Sequence, residues 1–240
     1  FYRRIRAGET CTTNQINTAT FLDLFAPILE GGEDIFYMAF SSGLSGTYNS
    51  ACMAAQELRA RYPERAVVVV DTLAASMGEA LLVYYAVQQK RAGLSIHELE
   101  KWVEDNRNHL AHWFTVDDLN HLKRGGRVSG TAAFFGTMLG IKPVLHVDDE
   151  GHLIPMEKVR GRRQSLDALV KHMSTTAKLE NAKTVFISHG DCQEDAEYVA
   201  DQVREKFPGT KVYINMIGPV IGAHSGPGTM ALFFMAENKY

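Results

Sequence analysis

The run Ser41-Ser42-Gly43-Leu44-Ser45-Gly46-Thr47 constrains this chain most, because it lies between an apolar stretch (Ile35 to Phe40) and a helix-forming segment. That order predicts a strand, a tight turn built from small residues, and a helix start. Such a turn aims backbone N–H groups and the hydroxyls of Ser42, Ser45 and Thr47 at one point, where the helix dipole favours negative charge. The expectation is an anion cradle. The same residues also make an ordinary helix cap after a tight loop, so the turn alone leaves both readings open.

The theme recurs. Val67 to Val70 reads as a strand buried on both faces, and Asp71-Thr72-Leu73-Ala74-Ala75-Ser76-Met77-Gly78 places small polar residues ahead of another helix, running to about Ala92. Ligands of parallel sheets gather at that edge. Further helices are expected over 20–29, from about Ser45 to Arg61, and from a capping box at Ser95 and Glu98 to about Asn108. Trp113 to Val116 reads as the next strand.

Beyond Val116 the rhythm changes. Asp117 to Lys123 reads as a short helix stopped by Gly125 and Gly126, and 141–147 with 153–159 flank Asp148-Asp149-Glu150-Gly151 as a hairpin. Helices from about Arg163 to Leu179 and Glu194 to Phe207 alternate with strands at 183–188 and 211–217. A Gly-rich loop carrying His224 leads to a final apolar segment.

A chain of 240 residues, 45% hydrophobic, makes one large domain or two small ones. A formal net charge of -3 with no basic stripe argues against nucleic acid as partner. Three cysteines without paired or metal-ligand spacing suit a reducing cytoplasm, no apolar run approaches a membrane span, and the opening Phe1-Tyr2-Arg3 reads as a start within a longer protein. Enzyme motifs fail on inspection. Gly43-Leu44-Ser45-Gly46-Thr47 has Thr47 where a nucleophile elbow needs glycine, and Gly125-Gly126 lacks the remainder of a P-loop. His109, His112 and His121 have no further ligand at convincing spacing, and His189-Gly190-Asp191 reads as a loop with a helix cap, so neither a metal nor a cofactor is expected.

Read together, the Ser41 to Tyr48 run, Asp117-Asp118-Leu119 with Leu122-Lys123-Arg124-Gly125-Gly126-Arg127-Val128, Lys142-Pro143-Val144-Leu145, Lys158-Val159-Arg160 and His224-Ser225-Gly226-Pro227-Gly228 resemble the DegV family of bacterial fatty-acid-binding proteins. The resemblance covers almost the whole chain, apart from an opening strand-helix unit that the family places ahead of the segment beginning at Phe1. It implies an α/β fold of two α/β domains, residues 1–115 and 116–240. The first would hold a mainly parallel three-layer sheet, the second a mixed or antiparallel sheet with helices, and the ligand would lie between them.

The resemblance further implies a carboxylate held by Thr13 and Ser45, with Asn14, Ser42 and backbone N–H groups as further donors and His224 approaching from the second domain. Asn14 stands where the family has serine, and its amide still donates. Phe134, Phe135, Met138 and Leu139 are expected to line the acyl chain, since Ala132, Ala133, Gly136 and Gly140 leave room among them; Met77 is a further candidate, and a plain core helix is the alternative. Arg127 and Arg160, with His224, are expected to face a phosphorylated head group or a partner fatty acid kinase; Arg162 and Arg163 read as surface arginines. The implied function is a non-catalytic, cytoplasmic carrier presenting a long-chain fatty acid for acyl phosphate formation in lipid metabolism. A second reading is an enzyme acting on a small phosphorylated or carboxylated metabolite, with His224 as general base or nucleophile and the Ser-rich turn as oxyanion site.

Overall fold

The computed structural model describes residues 1–128, 140–177, 183–237 and 239. It opens with a short helix α1 (Tyr2–Arg6), followed by α2 (Thr18–Glu30), capped where Asn17 Oδ1 accepts from the Thr20 N–H at 2.9 Å. Strand β1 (Ile35–Ala39), helix α3 (Thr47–Arg61), β2 (Val67–Asp71), α4 (Met77–Arg91) and α5 (Ile96–Asn106) follow. The capping box at Ser95 and Glu98 is present at the start of α5. Next come β3 (Leu110–Thr115), α6 (Asn120–Gly125), β4 (Ile141–Val147), β5 (Leu153–Arg160), α7 (Arg162–Thr176), β6 (Thr184–His189), α8 (Gln193–Lys206), β7 (Lys211–Met216), α9 (Pro219–Ser225) and β8 (Met230–Met235).

Two sheets result. β1 and β2 pair in parallel, and a six-stranded mixed sheet runs β5-β4-β3-β8-β6-β7. The expected hairpin is β4 and β5, antiparallel, with an irregularity between Val144 and Leu145. β3 pairs with β4 and β8, so residues 110–115 lie in the larger sheet although they precede the division expected at 115/116. The last apolar segment, β8, runs antiparallel between β3 and β6.

Side-chain alternation stacks these sheets in layers. Val67 of β2 packs with Phe21, Phe25, Ala54 and Leu58 of α2 and α3, whereas Val68 and Val70 face Leu81, Leu82, Leu99 and Val103 of α4 and α5. In β8, Met230, Leu232 and Phe234 join the core beneath α7 and α8, while Ala231, Phe233 and Met235 turn back to α4 and α5. Helices α4 and α5 are therefore shared between the two sheets. Arg162, expected at the surface, is an ion-pair node with Asp195 at 2.7 Å and Asp117 at 3.6 Å; Arg163 lies over the Tyr198 ring.

Candidate binding cavity

The ends of both sheets and the starts of α3 and α4 border a cavity of about 430 Å³. Phe40, Leu44, Phe114, Leu122, Leu153, Ile221 and Phe233 supply most of an apolar wall, and Thr13, Asn14, Ser45, Arg127 and His224 gather in the same lining. Four of the five residues expected to bind the carboxylate thus share one space. Ser42 is the exception: it is exposed on the turn, outside the lining.

The turn works differently from the sequence expectation. Ser41 is fully buried, and its carbonyl accepts from the Leu44 and Ser45 N–H groups at 3.1 Å each. Its hydroxyl donates to Gly151 O at 2.8 Å and accepts from the Gly43 N–H at 3.2 Å. The Ser42 N–H donates to Asp71 Oδ1 at 3.2 Å, and the Thr47 N–H to Ser45 Oγ at 3.2 Å. These backbone donors are satisfied inside the turn, so side-chain hydroxyls remain for a ligand. Ser45 Oγ lies 2.9 Å from Thr47 Oγ1; with Thr47 donating, the Ser45 hydrogen is left to point into the cavity.

In the same lining, Thr13 Oγ1 meets His224 Nε2 at 2.7 Å. His224 Nδ1 is buried with no partner among the described residues. A buried N–H left without an acceptor is rare, which favours the tautomer carrying its hydrogen on Nε2. His224 then donates to Thr13, and the Thr13 hydrogen is free for the ligand. The lining thus holds two hydroxyls, of Thr13 and Ser45, that can each turn a hydrogen toward the cavity.

Burial first, and the Arg127 guanidinium second, hold the His224 imidazole below its ordinary range. Arg127 is itself fixed by Leu44 O at 3.2 Å and Gly125 O at 2.6 Å. A Cβ at Gly125 would overlap His224 Nδ1, so only glycine lets the histidine sit this close; Gly126 beside it takes φ 65° to end α6. His224 was expected in a loop and instead lies on α9, a helix that Pro219 opens at its first turn and Gly226 closes.

A second set of polar groups lines the cavity between α4 and the large sheet. Ser76 Oγ and Ser188 Oγ are 3.0 Å apart. His112 Nε2 accepts from the Ala75 N–H at 3.4 Å and its Nδ1–H donates to Leu110 O at 3.2 Å; burial holds its pKa well down, so the ring is neutral. Sequence reasoning missed Ser188, Ser225 and the apolar Phe114 and Phe233, which come from strands and a helix remote from the turn; the alternation of buried strands was the available signal.

Met77 packs with the shared layer of α4 and α5 and does not line the cavity. Arg160 is exposed at the end of β5, also outside it. Phe134, Phe135, Met138 and Leu139 lie outside the described residues. Among the described residues no group of His, Cys, Asp and Glu is placed to hold a metal ion, and no helix is long and apolar enough to cross a membrane.

Comparison with known proteins gives a consistent result. A family described as "Uncharacterised protein, DegV family" matches residues 1–237. A DegV domain-containing protein of Clostridium perfringens is 48% identical over 239 residues, spanning 100% of this chain and 82% of the relative. A DegV family protein from Thermus thermophilus, solved in a study of its fatty acid binding, superposes with a TM-score of 0.86 at 30% identity, covering 98% of this chain and 82% of that one. A DegV lipid binding protein from Thermotoga maritima gives a TM-score of 0.85 at 29% identity, covering 100% and 82%.

Proposed function

This chain belongs to the DegV family, and from that premise we propose that it binds a long-chain fatty acid, the acyl chain in the apolar cavity and the carboxylate between Thr13 and Ser45. The observation that carries this reading is one cavity combining an apolar wall with two hydroxyls, of Thr13 and Ser45, that can each donate a hydrogen to a ligand. A carboxylate leaving water needs charge-assisted hydrogen bonds to offset its desolvation. Arg127 adds positive charge beside it, and Ser225, whose buried Oγ has no partner among the described residues, is a further donor.

Most of the affinity comes from the tail. Burial contributes ~0.8 kcal/mol per methylene, a gross gain on the order of 10 kcal/mol for a long chain, before association costs. A wall so largely apolar suits an acyl chain better than a small polar metabolite. The finer reading is that the protein is non-catalytic and presents the carboxylate to a partner kinase, which brings the ATP chemistry. Arg127 and His224, at the carboxylate end, are the residues proposed to meet that phosphoryl group.

Mass spectrometry of the purified protein, native and then after organic extraction, tests the proposal. A stoichiometric fatty acid is expected, and Ser45→Ala should weaken its retention about tenfold. An empty protein that takes up no added palmitate, or a small polar metabolite in its place, would overturn the carrier reading in favour of an enzyme using His224.

A further inference from the structure

The pair Ser76 and Ser188 is poorly explained by a purely hydrocarbon tail. Ser188 is 1% exposed, on the cavity face of β6, and Ser76 begins α4 on the facing wall. Two hydroxyls 3.0 Å apart own two hydrogens, but their mutual bond uses one. His112 cannot take the other, because its Nε2 already accepts from Ala75 and its Nδ1–H donates to Leu110 O. Ala231, which lies opposite Ser188 in the sheet, and Phe114 and Phe233, which line the same cavity, offer no side-chain acceptor. One hydroxyl hydrogen of this part-buried pair is thus available at the cavity wall, where a ligand oxygen would satisfy it.

A second observation, independent of the first, concerns the backbone. Ser76 has φ 57° and ψ -140°, a conformation close to one that glycine adopts without strain and serine does not. Glycine would relieve the strain but would remove the hydroxyl that meets Ser188. The position sustains strain and, in return, holds a hydroxyl inside the cavity.

Resting on the fatty-acid reading above, we infer that the cavity takes a long-chain carboxylic acid bearing a hydroxyl group on its chain, the ligand oxygen sitting at the Ser76–Ser188 pair. That oxygen accepts the spare hydrogen, and its own hydrogen goes to the serine oxygen that still has a free lone pair. An unsubstituted tail passing the same point leaves the serine hydrogen unsatisfied. The site therefore selects by a hydrogen bond made or forgone, while the carboxylate end is common to both ligands.

The test uses delipidated protein and competition binding with stearate and a series of hydroxystearates, the hydroxyl at successive mid-chain carbons. One positional isomer should bind about five- to tenfold more tightly than stearate. Ser188→Ala should bring that ratio close to one. Ser76→Gly should do the same in a protein at least as stable, which guards against misfolding as the cause. The inference is overturned if every isomer binds no better than stearate, or if Ser188→Ala weakens both ligands equally and leaves the ratio intact, which would assign the pair to the carboxylate end. Failure of stearate and all isomers to bind would instead sink the fatty-acid reading itself.

Discussion

The hydroxyl of Ser41, on the turn after β1, donates to the carbonyl of Gly151, in the turn between β4 and β5, across 2.8 Å. The bond joins the turn that carries Ser45 to the tip of a hairpin in the other sheet. Gly151 has φ 81°, and a Cβ there would overlap Ser41 Oγ. Lys239 secures the same tip from behind, donating to Asp148 O at 2.8 Å.

Ser41→Ala should cost about 1–2 kcal/mol, because Gly151 O and the Gly43 N–H each lose a buried partner. Gly151→Ala should cost at least about 2 kcal/mol, from overlap and the left-handed backbone together. Combining the two removes the overlap, so the double variant should be more stable than the sum of the single losses predicts. Urea denaturation of the four proteins supplies the cycle; strict additivity would show that the turn and hairpin are not coupled through this contact.

Gly125→Ala should displace the His224 ring and break its bond with Thr13. Fatty-acid affinity is expected to fall at least about tenfold while the melting temperature drops by only a few degrees, since α6 tolerates alanine at its last position. Calorimetric titration alongside a thermal melt separates the two effects, and unchanged affinity would mean that His224 need not stay where it is.

Acid should favour binding over a definite range. In the empty protein burial and Arg127 keep His224 neutral at neutral pH. A bound carboxylate beside the ring favours its charged form, so the imidazole pKa rises on binding and a proton is taken up. Affinity then climbs as pH falls below the bound-state value and levels off below the free-state value. NMR titration of the His224 ring with and without ligand, and binding heats in buffers of differing ionisation enthalpy, measure this; zero proton uptake, or uptake that persists in His224→Asn, would refute it.

Glu79, in the first turn of α4, is pushed up from 4.5 to about 7 by burial, against the pull of the helix dipole. Between those values the folded protein holds a proton that the unfolded chain has released. Stability therefore declines as pH rises through that window and stays lower above it. Glu79→Gln mimics the protonated form and should stabilise the protein by about 2 kcal/mol at pH ~8, with little effect near pH ~4.5. Denaturation at the two pH values decides; an equal effect at both would point to packing instead of charge.

Periodicity and local punctuation made most elements readable in advance. The Ser95 cap, the doubly buried Val67 to Val70, and the Asp148 to Gly151 turn each announced a neighbouring element through short-range chemistry. What stayed hidden depended on distant pairing. Nothing local reveals that Ser41 faces inward while Ser42 faces solvent, because the choice is made by Gly151 and Asp71. The helix holding His224 spans only seven residues, too few to show a periodic face, although Pro219 and Gly226 mark its ends. Ser188 became a site residue only when β8 and β6 paired and α4 was laid across them.

The placement of β8 also bears on how the cavity comes into being. This strand is made after the other seven found among the described residues, yet it belongs between β3 and β6. Until β8 is made, the edges of β3 and β6 that it will join stay unpaired, and its part of the layer packed against α4 is missing. Ala231 and Phe233 arrive together with the strand that joins the halves. A nascent chain that has already made Thr13, Ser45 and His224 therefore still lacks the cavity wall that Ala231 and Phe233 supply.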